Sequence, residues 1–456
     1  MVVIERLASS AYPQVVRVRV HADVPDLDTP WVRTPQDDVG VAVVVGERLL
    51  LMLASVVVHA VAPTEPLGAN QALARIKAVD HDRDLALLEV VDSITAAWGI
   101  APVELGPLPS ASDVLVLVGI ADEAPQIEIG IAVITSIALT RYAHSQRHLL
   151  AVAIDARQPL HVGGDVVFRN NRLIGIVMQR LTGDDQRGEL IPPPIIRAFL
   201  DGIAAGKPPG VPALGLSVQP IENPAMRAQL GLGSDEPGVL VSRVDLGGSC
   251  DGVIQPRDLL VSIDGVPIAN DDSIDYEGLA VRHYAALGTR HVGDRVRLGI
   301  RRGRLPASLD VTLGPWLPLV PRARHDVPPA YYVYAGLVFQ PLTRDYLTTW
   351  ESWWDKAPKE FLNAYYWGRR TPAQEEIVAL TAVLEDPLNV GYARYCDESV
   401  VRVGDRAPRD LKDFVGALEA ARGYVTIEMS GGGLITLDVE AVTRTFATRD
   451  EPYKRG

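Results

Sequence analysis

Cysteine is scarce in this sequence, which has only Cys250 and Cys396 among 456 residues. Two thiols so far apart exclude a disulfide framework or a cysteine zinc site, so both are interpreted as ordinary buried thiols. Long apolar runs are also missing: the longest, at 49–62, is shorter than a membrane-spanning helix and contains His59. Basic residues are outnumbered 44 to 57, giving a net charge of −13. This balance argues against binding nucleic-acid phosphates or anionic lipid.

The composition is that of a folded, multidomain protein. Hydrophobic residues make up 47% of the chain, enough for each domain to bury a core, and the length corresponds to about three domains. No charged segment followed by an apolar one opens the chain, so we expect no secretory leader in the sequence as it stands. If a leader has been removed, the expected location is the periplasm or cell envelope; otherwise it is the cytoplasm.

Residues 15–203 consist mainly of short β-type runs separated by turns, for example LALLEV at 85–90. Such runs, with little helical periodicity between them, predict an all-β barrel or sandwich. A helix is predicted at 195–206, where an apolar periodicity ends at a glycine. Two Pro/Gly-rich stretches follow, at 206–212 and 314–329, and both are typical of domain linkers.

The two segments after these linkers resemble each other. In each, an apolar strand meets a tight Gly turn, at 258–274 and at 399–415, and a two-stranded hairpin comes later. An internally repeated α+β module is the economical explanation. The predicted domains are a β-rich domain at 1–206, a first module at 212–315, and a second module at 330–446 with an aromatic-rich insertion at 348–370.

Three segments carry a family resemblance: LLMLASVVVHA (50–60), DRDLALLEV (82–90) and the region 154–179. They resemble the segments that hold the catalytic residues of trypsin-like proteases of the Deg/HtrA family. The similarity continues through both modules, which would be PDZ domains, and 263–274 and 334–347 are similar to the two-PDZ branch of plants and fungi. The resemblance implies a mainly β fold, a two-barrel chymotrypsin-like domain followed by two α+β PDZ domains, and trimer-based homo-oligomers.

The positions that matter for catalysis depart from the family. Matched without gaps, Ser55 stands where the family has its catalytic His, Asp84 where it has Asp, and Gly163 where it has the nucleophilic Ser. A shift of one residue would place Val162 there instead. Residues 156–180 contain no Ser, Thr or Cys, so either alignment lacks a nucleophile.

A further departure lies beside the family's oxyanion hole. Asp165 replaces a glycine there, and a carboxylate opposes the negative charge of the transition state. His59 and His161 lie near the base and nucleophile positions, but neither has a nucleophile in register. We therefore interpret the domain as a pseudoprotease rather than an enzyme, in which Asp84 remains as a structural carboxylate.

Three functions remain open at this point. The leading hypothesis is a non-catalytic binder of polypeptide segments or C-termini that serves as a quality-control binder or scaffold. The first alternative is a regulatory subunit that assembles with an active protease paralogue. The second is an active endopeptidase with an unconventional site. We expect no cofactor, metal, nucleic acid or membrane span in any of them.

Peptide binding is the expected activity of the two modules. PDZ domains capture a C-terminus by strand addition, and a loop with a small residue between apolar ones holds the carboxylate. The alternative is that the glycines in these loops only shape the start of a strand. The predicted binding residues are Ala213, Leu214, Gly215, Leu216 and Ser217 in the first module, and Tyr334, Ala335, Gly336 and Leu337 in the second.

Two polar patterns are better explained without a ligand. His144 and His148 are four residues apart, but they lie in a loop between strand-like runs, which favours an exposed polar loop over a metal site. Asp80, Asp82 and Asp84 alternate, but the glycine and the terminal Glu of a calcium loop are missing. We interpret this segment as a solvated turn that enters a strand.

The insertion at 348–370 holds four of the seven tryptophans. Its aromatic residues fall near helical spacing, which is typical of core packing or of packing between domains. An exposed group of them would instead mark a protein interface, or would cover the binding groove of the second module.

Overall fold

The structure is a computed structural model, and it describes residues 1–7, 11–63, 70–91, 98–111, 113–120, 126–161, 163–181, 183–233 and 236–447. Val162, the alternative nucleophile position, lies outside the described residues. The chain divides into two units. Unit 1 comprises Met1–Ala22 and Gln36–Trp316, and unit 2 comprises Asp23–Pro35 and Leu317–Gly456.

The first six strands close a barrel in the order β1-β2-β3-β4-β6-β5. The pairing of β1 with β5 closes the barrel, and alternation gives it an apolar interior: Val16, Val18 and Val20 of β2 are buried, whereas Arg17 and Arg19 between them are only partly buried. The strands are β1 (Val2–Glu5), β2 (Val15–Pro25), β3 (Arg33–Gly46), β4 (Leu49–Met52), β5 (Gln71–Asp80) and β6 (Leu85–Val90).

The next six strands close a second barrel in the order β10-β11-β12-β9-β8-β7. Helix α1 (Pro193–Ala204) follows, begins with proline in its first turn, and buries Ile195, Ile196 and Phe199. The predicted mainly β fold with two barrels is therefore confirmed. The strands are β7 (Val114–Ile120), β8 (Ile127–Arg141), β9 (His148–Ala156), β10 (Val166–Arg169), β11 (Arg172–Leu181) and β12 (Asp184–Ile191).

The first module completes unit 1 with a sheet of order β13-β14-β15-β19-β20, in which β16 pairs with β15, and a separate β17-β18 hairpin. Strand β13 lies at the edge of this sheet in the described part of the chain. The elements are β13 (Leu216–Gln219), α2 (Pro224–Gln229), β14 (Val239–Val244), β15 (Leu259–Ile263), β16 (Val266–Pro267), β17 (Ser273–Tyr276), β18 (Leu279–Arg282), a 3-10 helix (His283–Leu287), β19 (Arg295–Arg302) and β20 (Leu305–Thr312).

The second module lies in unit 2 and has one antiparallel sheet in chain order, β21-β22-β23-β24-β25-β26. The elements are β21 (Tyr332–Tyr334), β22 (Leu337–Pro341), α3 (Arg344–Leu347), α4 (Trp353–Lys356), α5 (Lys359–Trp367), β23 (Val378–Val383), a 3-10 helix (Tyr392–Tyr395), β24 (Glu398–Val403), α6 (Leu411–Ala420), β25 (Tyr424–Met429), β26 (Leu434–Asp438) and α7 (Val439–Ala447).

Unit 2 also contains the segment Asp23–Pro35, which the sequence analysis placed within the first predicted domain. The Gln340 side chain donates a hydrogen bond to the Leu27 carbonyl at 2.9 Å, and the Trp31 ring lies 5.7 Å from that of Tyr331. The segment therefore forms part of the packing of unit 2. In the described residues, no helix is long and apolar enough to cross a membrane.

Candidate functional site

Ser55 and Asp84, two of the positions matched to the catalytic triad, lie in direct contact. The Ser55 N–H donates to Asp84 Oδ1 at 2.7 Å, and Ser55 Oγ donates to Asp84 Oδ2 at 3.2 Å. Asp84 is buried just before β6, and this burial raises its pKa to about 7 although the hydrogen bonds from Ser55 lower it. The pair is thus a buried carboxyl group held by a serine.

Gly163, the position matched to the nucleophile, is packed against β3. Its carbonyl accepts a hydrogen bond from the Val41 N–H at 3.2 Å. A Cβ on Gly163 would lie 2.6 Å from the Val39 carbonyl oxygen and 2.7 Å from Gly40 Cα. Because backbone atoms cannot yield as a flexible side chain does, no side chain fits at 163 without a shift of the main chain.

Gly40 connects this position to the serine. A Cβ on Gly40 would lie 2.8 Å from Val56 Cγ1 and 3.3 Å from the Gly163 carbonyl oxygen. Gly40 therefore lies between Gly163 and Val56, the residue that follows Ser55. The fold brings the three matched positions together, and two glycines provide the close approach.

Asp165 is almost completely buried and is paired with a histidine. Its Oδ1 lies 2.7 Å from His161 Nδ1, and its Oδ2 accepts a hydrogen bond from the backbone N–H of His161 at 3.2 Å. The other ring nitrogen of His161 lies 3.3 Å from a Glu128 carboxylate oxygen, and a side chain on Gly119 would overlap the pair. The carboxylate that we expected to oppose an oxyanion directly is thus engaged by an imidazole inside the second barrel.

The turn before Asp84 is not solvated, contrary to the sequence interpretation. Asp80, Arg83 and Asp84 are all buried, and Arg83 has no exposed surface. The Arg83 guanidinium bonds Asp80 at 2.5 Å and donates to the carbonyls of Gly288 at 3.1 Å and Arg290 at 2.6 Å. A buried charge needs such partners, and here the first module supplies two of them.

The stretch at 206–212, predicted as a linker, is held in place by the barrels. The Val211 N–H donates to Asp82 Oδ2 at 2.8 Å, and the Arg147 guanidinium donates to the carbonyls of Val211 and Pro212, both at 2.8 Å. Burial lowers the pKa of Arg147. The sequence analysis missed these contacts, because nothing in the local sequence distinguishes these side chains from solvated ones.

The predicted carboxylate loop of the first module has the geometry that anion binding requires. Its carbonyls are turned inward, since Leu214 O accepts from Cys250 N at 2.9 Å and Gly215 O from Asp245 N at 2.8 Å. Among the described residues, the N–H groups of Leu214 and Gly215 meet no acceptor. Gly215 has a φ of 68° and leaves no room for a Cβ, which would lie 2.7 Å from Gly248 Cα. Two adjacent N–H groups are thus available to a ligand.

A cavity of about 280 Å³ opens beside this loop. It is bounded by residues 213–216, by the 3-10 helix His283–Leu287, by Trp316 and by barrel residues 146–149. The polar loop that contains His144 and His148 was expected to be exposed. Its end at 146–149 instead forms one wall of the cavity. Of the predicted binding residues, Ala213 to Leu216 line the cavity, and Ser217 lies next along β13, where its Oγ accepts a bond from Arg243 at 2.7 Å.

The predicted carboxylate loop of the second module is a tight hairpin turn, and that prediction is wrong in its geometry. Ala335 and Gly336 have φ values of 52° and 77°, and they join β21 to β22 with Tyr334 opposite Leu337. The Asn389 amide donates to the Ala335 carbonyl at 2.7 Å. Since β22 pairs with β21 on one edge and with β23 on the other, neither edge remains for strand addition.

Comparison with known proteins agrees with this architecture. The family model described as "PDZ domain" matches residues 320–447. The chain is 28% identical over 455 residues to "Putative protease Do-like 3, mitochondrial" of Arabidopsis thaliana. The aligned region covers 96% of this chain and 79% of the relative. It is also 28% identical over 438 residues to "Protease Do-like 2, chloroplastic" of the same plant, covering 94% and 71%. Over nearly its whole length, the chain is therefore similar to the Do-like proteases of the Deg/HtrA family.

Solved structures of Deg/HtrA proteins have the same fold. A variant of the HtrA-type protease AlgW with a decapeptide superimposes with a TM-score of 0.51 and 18% identity, covering 70% of this chain and 95% of that chain. The family model identifies the second module as a PDZ domain, although its own strand β21 lies on the edge of β22. Among the described residues, the outer edge of β13 is unpaired, whereas the corresponding edge of β22 is paired with β21.

Proposed function

We propose that this protein is a catalytically inactive member of the Deg/HtrA family that binds polypeptide C-termini at its first module, as a quality-control binder or scaffold. One observation supports the proposal above the others. The cavity of about 280 Å³ lies against two N–H groups without acceptors and at the open edge of β13.

Three observations support the absence of catalysis. Acyl transfer needs a base beside the nucleophile and an acid to orient that base. At the matched positions, Asp84 orients a serine hydroxyl, which does not act as a base near neutral pH. Gly163 has no nucleophilic atom and no room for a side chain. Asp165 adds a buried carboxylate, paired with His161, at the position matched to the oxyanion side.

The binding mode follows from the loop and the strand beside it. A peptide added antiparallel to β13 ends at Leu214 and Gly215, whose N–H groups donate hydrogen bonds to its terminal carboxylate. Its last side chain enters the cavity, where Leu214, Leu216 and Leu287 supply apolar surface. The ligand class is therefore a free C-terminus with an apolar last residue.

Fluorescence anisotropy with labelled decapeptides tests this binding mode. A pool of peptides with free C-termini should bind, and the same sequences with C-terminal amides should bind at least about tenfold more weakly, because the charge-assisted bonds to the loop are lost. Leu216→Glu puts a carboxylate in the cavity and should abolish binding. Gln219→Glu adds the same charge to the exposed end of the same strand and should leave it unchanged. Equal binding of acid and amide forms refutes the C-terminal mode.

Casein hydrolysis tests the absence of catalysis. The wild type should release no fragments above the buffer control, and bound decapeptides should be recovered intact. Hydrolysis that survives Ser55→Ala together with Asp84→Asn would establish an unconventional active site.

Cross-linking in the native cells separates the two binding roles. A mixture of unfolded or C-terminally related proteins supports the proposal. One stoichiometric partner with an intact His-Asp-Ser set instead indicates a regulatory subunit.

A further inference from the structure

The aromatic insertion of unit 2 separates into a buried and an exposed set. Phe361 and Tyr365 of α5 are buried in the unit's core. Trp354 is 62% exposed, Tyr366 42% and Trp367 75%. These three side chains, called the aromatic surface from here on, are too exposed for the core packing that we expected of the insertion.

The aromatic surface is supported from below. The Trp353 ring stacks on Tyr366 with centroids 6.4 Å apart and meets Trp354 edge to face at 6.3 Å. The Arg344 guanidinium lies 5.7 Å from the Trp353 centroid. Trp354 and Tyr366, which are held in this way, lose little conformational freedom when a partner covers them, which favours binding.

The size of the surface corresponds to the centre of a protein interface. An aromatic side chain can bury roughly 150–250 Å², so at these exposures the three rings present on the order of 400 Å². Apolar patches of this size on a monomer are commonly functional. A stable dimer buries about 800 Å² on each partner, so the rings and a polar rim of similar area would suffice.

The charges around the surface favour another copy of the same chain. The chain carries a net charge of −13, yet the insertion at 348–370 has nearly balanced charges, with three acidic and four basic side chains: Glu351, Asp355, Lys356, Lys359, Glu360, Arg369 and Arg370. Copies of an acidic protein can meet at such a region without strong repulsion. A two-fold contact presents the same residues from both sides, and a rim of mixed sign is complementary to itself. Lipid or nucleic acid would require an excess of basic residues.

We propose that Trp354, Tyr366 and Trp367 form a two-fold contact between two copies of this chain. The contact is independent of any assembly made through the barrels, so it doubles whatever particle the rest of the chain forms. It is also independent of peptide binding at β13.

Sedimentation velocity over a hundredfold range of concentration tests the contact. The wild type should form a particle of twice the mass found for Trp354→Ser with Trp367→Ser at the same concentration. The matched control is Tyr424→Ser with Leu434→Ser, which removes two residues that are 76% and 56% exposed on the β25-β26 hairpin, and it should keep the wild-type mass. Equal masses for all three proteins overturn the proposal.

A disulfide at the two-fold axis provides a test that keeps every ring. Asn363 is exposed on α5, one turn before Tyr366 and Trp367, so it lies on the same helix face. Asn363→Cys should cross-link to itself under mild oxidation, whereas a cysteine at Tyr424 should not. A protein that stays uncross-linked, or that floats with phosphatidylserine vesicles only while both tryptophans are present, contradicts a contact between copies.

Discussion

Replacing Asp84 by asparagine should change how the stability of the first barrel depends on pH. Burial raises the pKa of Asp84 from 3.8 to about 7, so the folded protein holds this proton more tightly than the unfolded chain does. The resulting stabilisation is complete below about pH 4 and is lost as the pH rises through 7. The difference of 3.2 pKa units corresponds to at most about 4 kcal/mol at 1.36 kcal/mol per unit.

Asparagine reproduces the hydrogen bonds of the protonated acid. Its Oδ1 can accept the Ser55 N–H now bound to the carboxyl, and its amide can donate to Ser55 Oγ. Asp84→Asn should therefore match the wild type within about 1 kcal/mol at pH 4, and be more stable by about 1.7 kcal/mol at pH 5 and by up to about 4 kcal/mol at pH 8.

Hydrogen exchange measured by mass spectrometry suits this prediction, because a chain with several domains does not unfold in one step. Protection of residues 49–57 and 84–90 is compared at pH 5, 6, 7 and 8, after correction for intrinsic exchange rates. Ser55→Ala is the control: it removes a bond that favours the ionised form, so its stability should fall more steeply with pH than that of the wild type. Parallel profiles for Asp84→Asn and the wild type would refute the reasoning.

Three further predictions concern packing and catalysis. Arg83→Met leaves two buried carbonyls of the first module without their donor and should destabilise unit 1 by about 3 kcal/mol, measured by denaturant unfolding of unit 1. Ser55→His with Gly163→Ser should not hydrolyse casein and should melt earlier than the wild type, since the new Cβ meets backbone; robust cleavage contradicts this. Gln340→Ala removes the bonds to the Leu27 carbonyl and the Thr381 hydroxyl and should lower the stability of unit 2 by at least about 1 kcal/mol, while an unchanged melting temperature would show that these bonds contribute nothing.

The sequence predicted those features that local patterns determine. Short apolar runs separated by turns, such as 85–90, are enough to predict a barrel or sandwich, because a buried strand of this length packs nearly all of its side chains, five of six in Leu85–Val90. Gly215 marked the tight loop before β13, since its φ of 68° and close packing both require glycine. These signals lie within a few residues of the feature that they predict.

Features that depend on distant partners could not be predicted in this way. Arg83 lies in a charged run that appears solvated, and its burial depends on carbonyls more than two hundred residues away. The second carboxylate loop has a small pair, Ala335–Gly336, that fits an anion-binding loop and a hairpin turn equally well. The pairing of β21 with β22 decides between the two, and no residue type records that pairing.

The hairpin formed by β21 and β22 has a consequence for the proposed binding of client proteins. A strand joined to its neighbour by a two-residue turn is present there at a very high effective concentration, so a free peptide competes poorly for that edge. Of the two edges compared, only that of β13 is open, so the proposed binding mode gives each chain one site for a C-terminus. Avidity for a client with several chain ends then requires several copies of the protein, so the number of copies in the assembly sets the strength of capture.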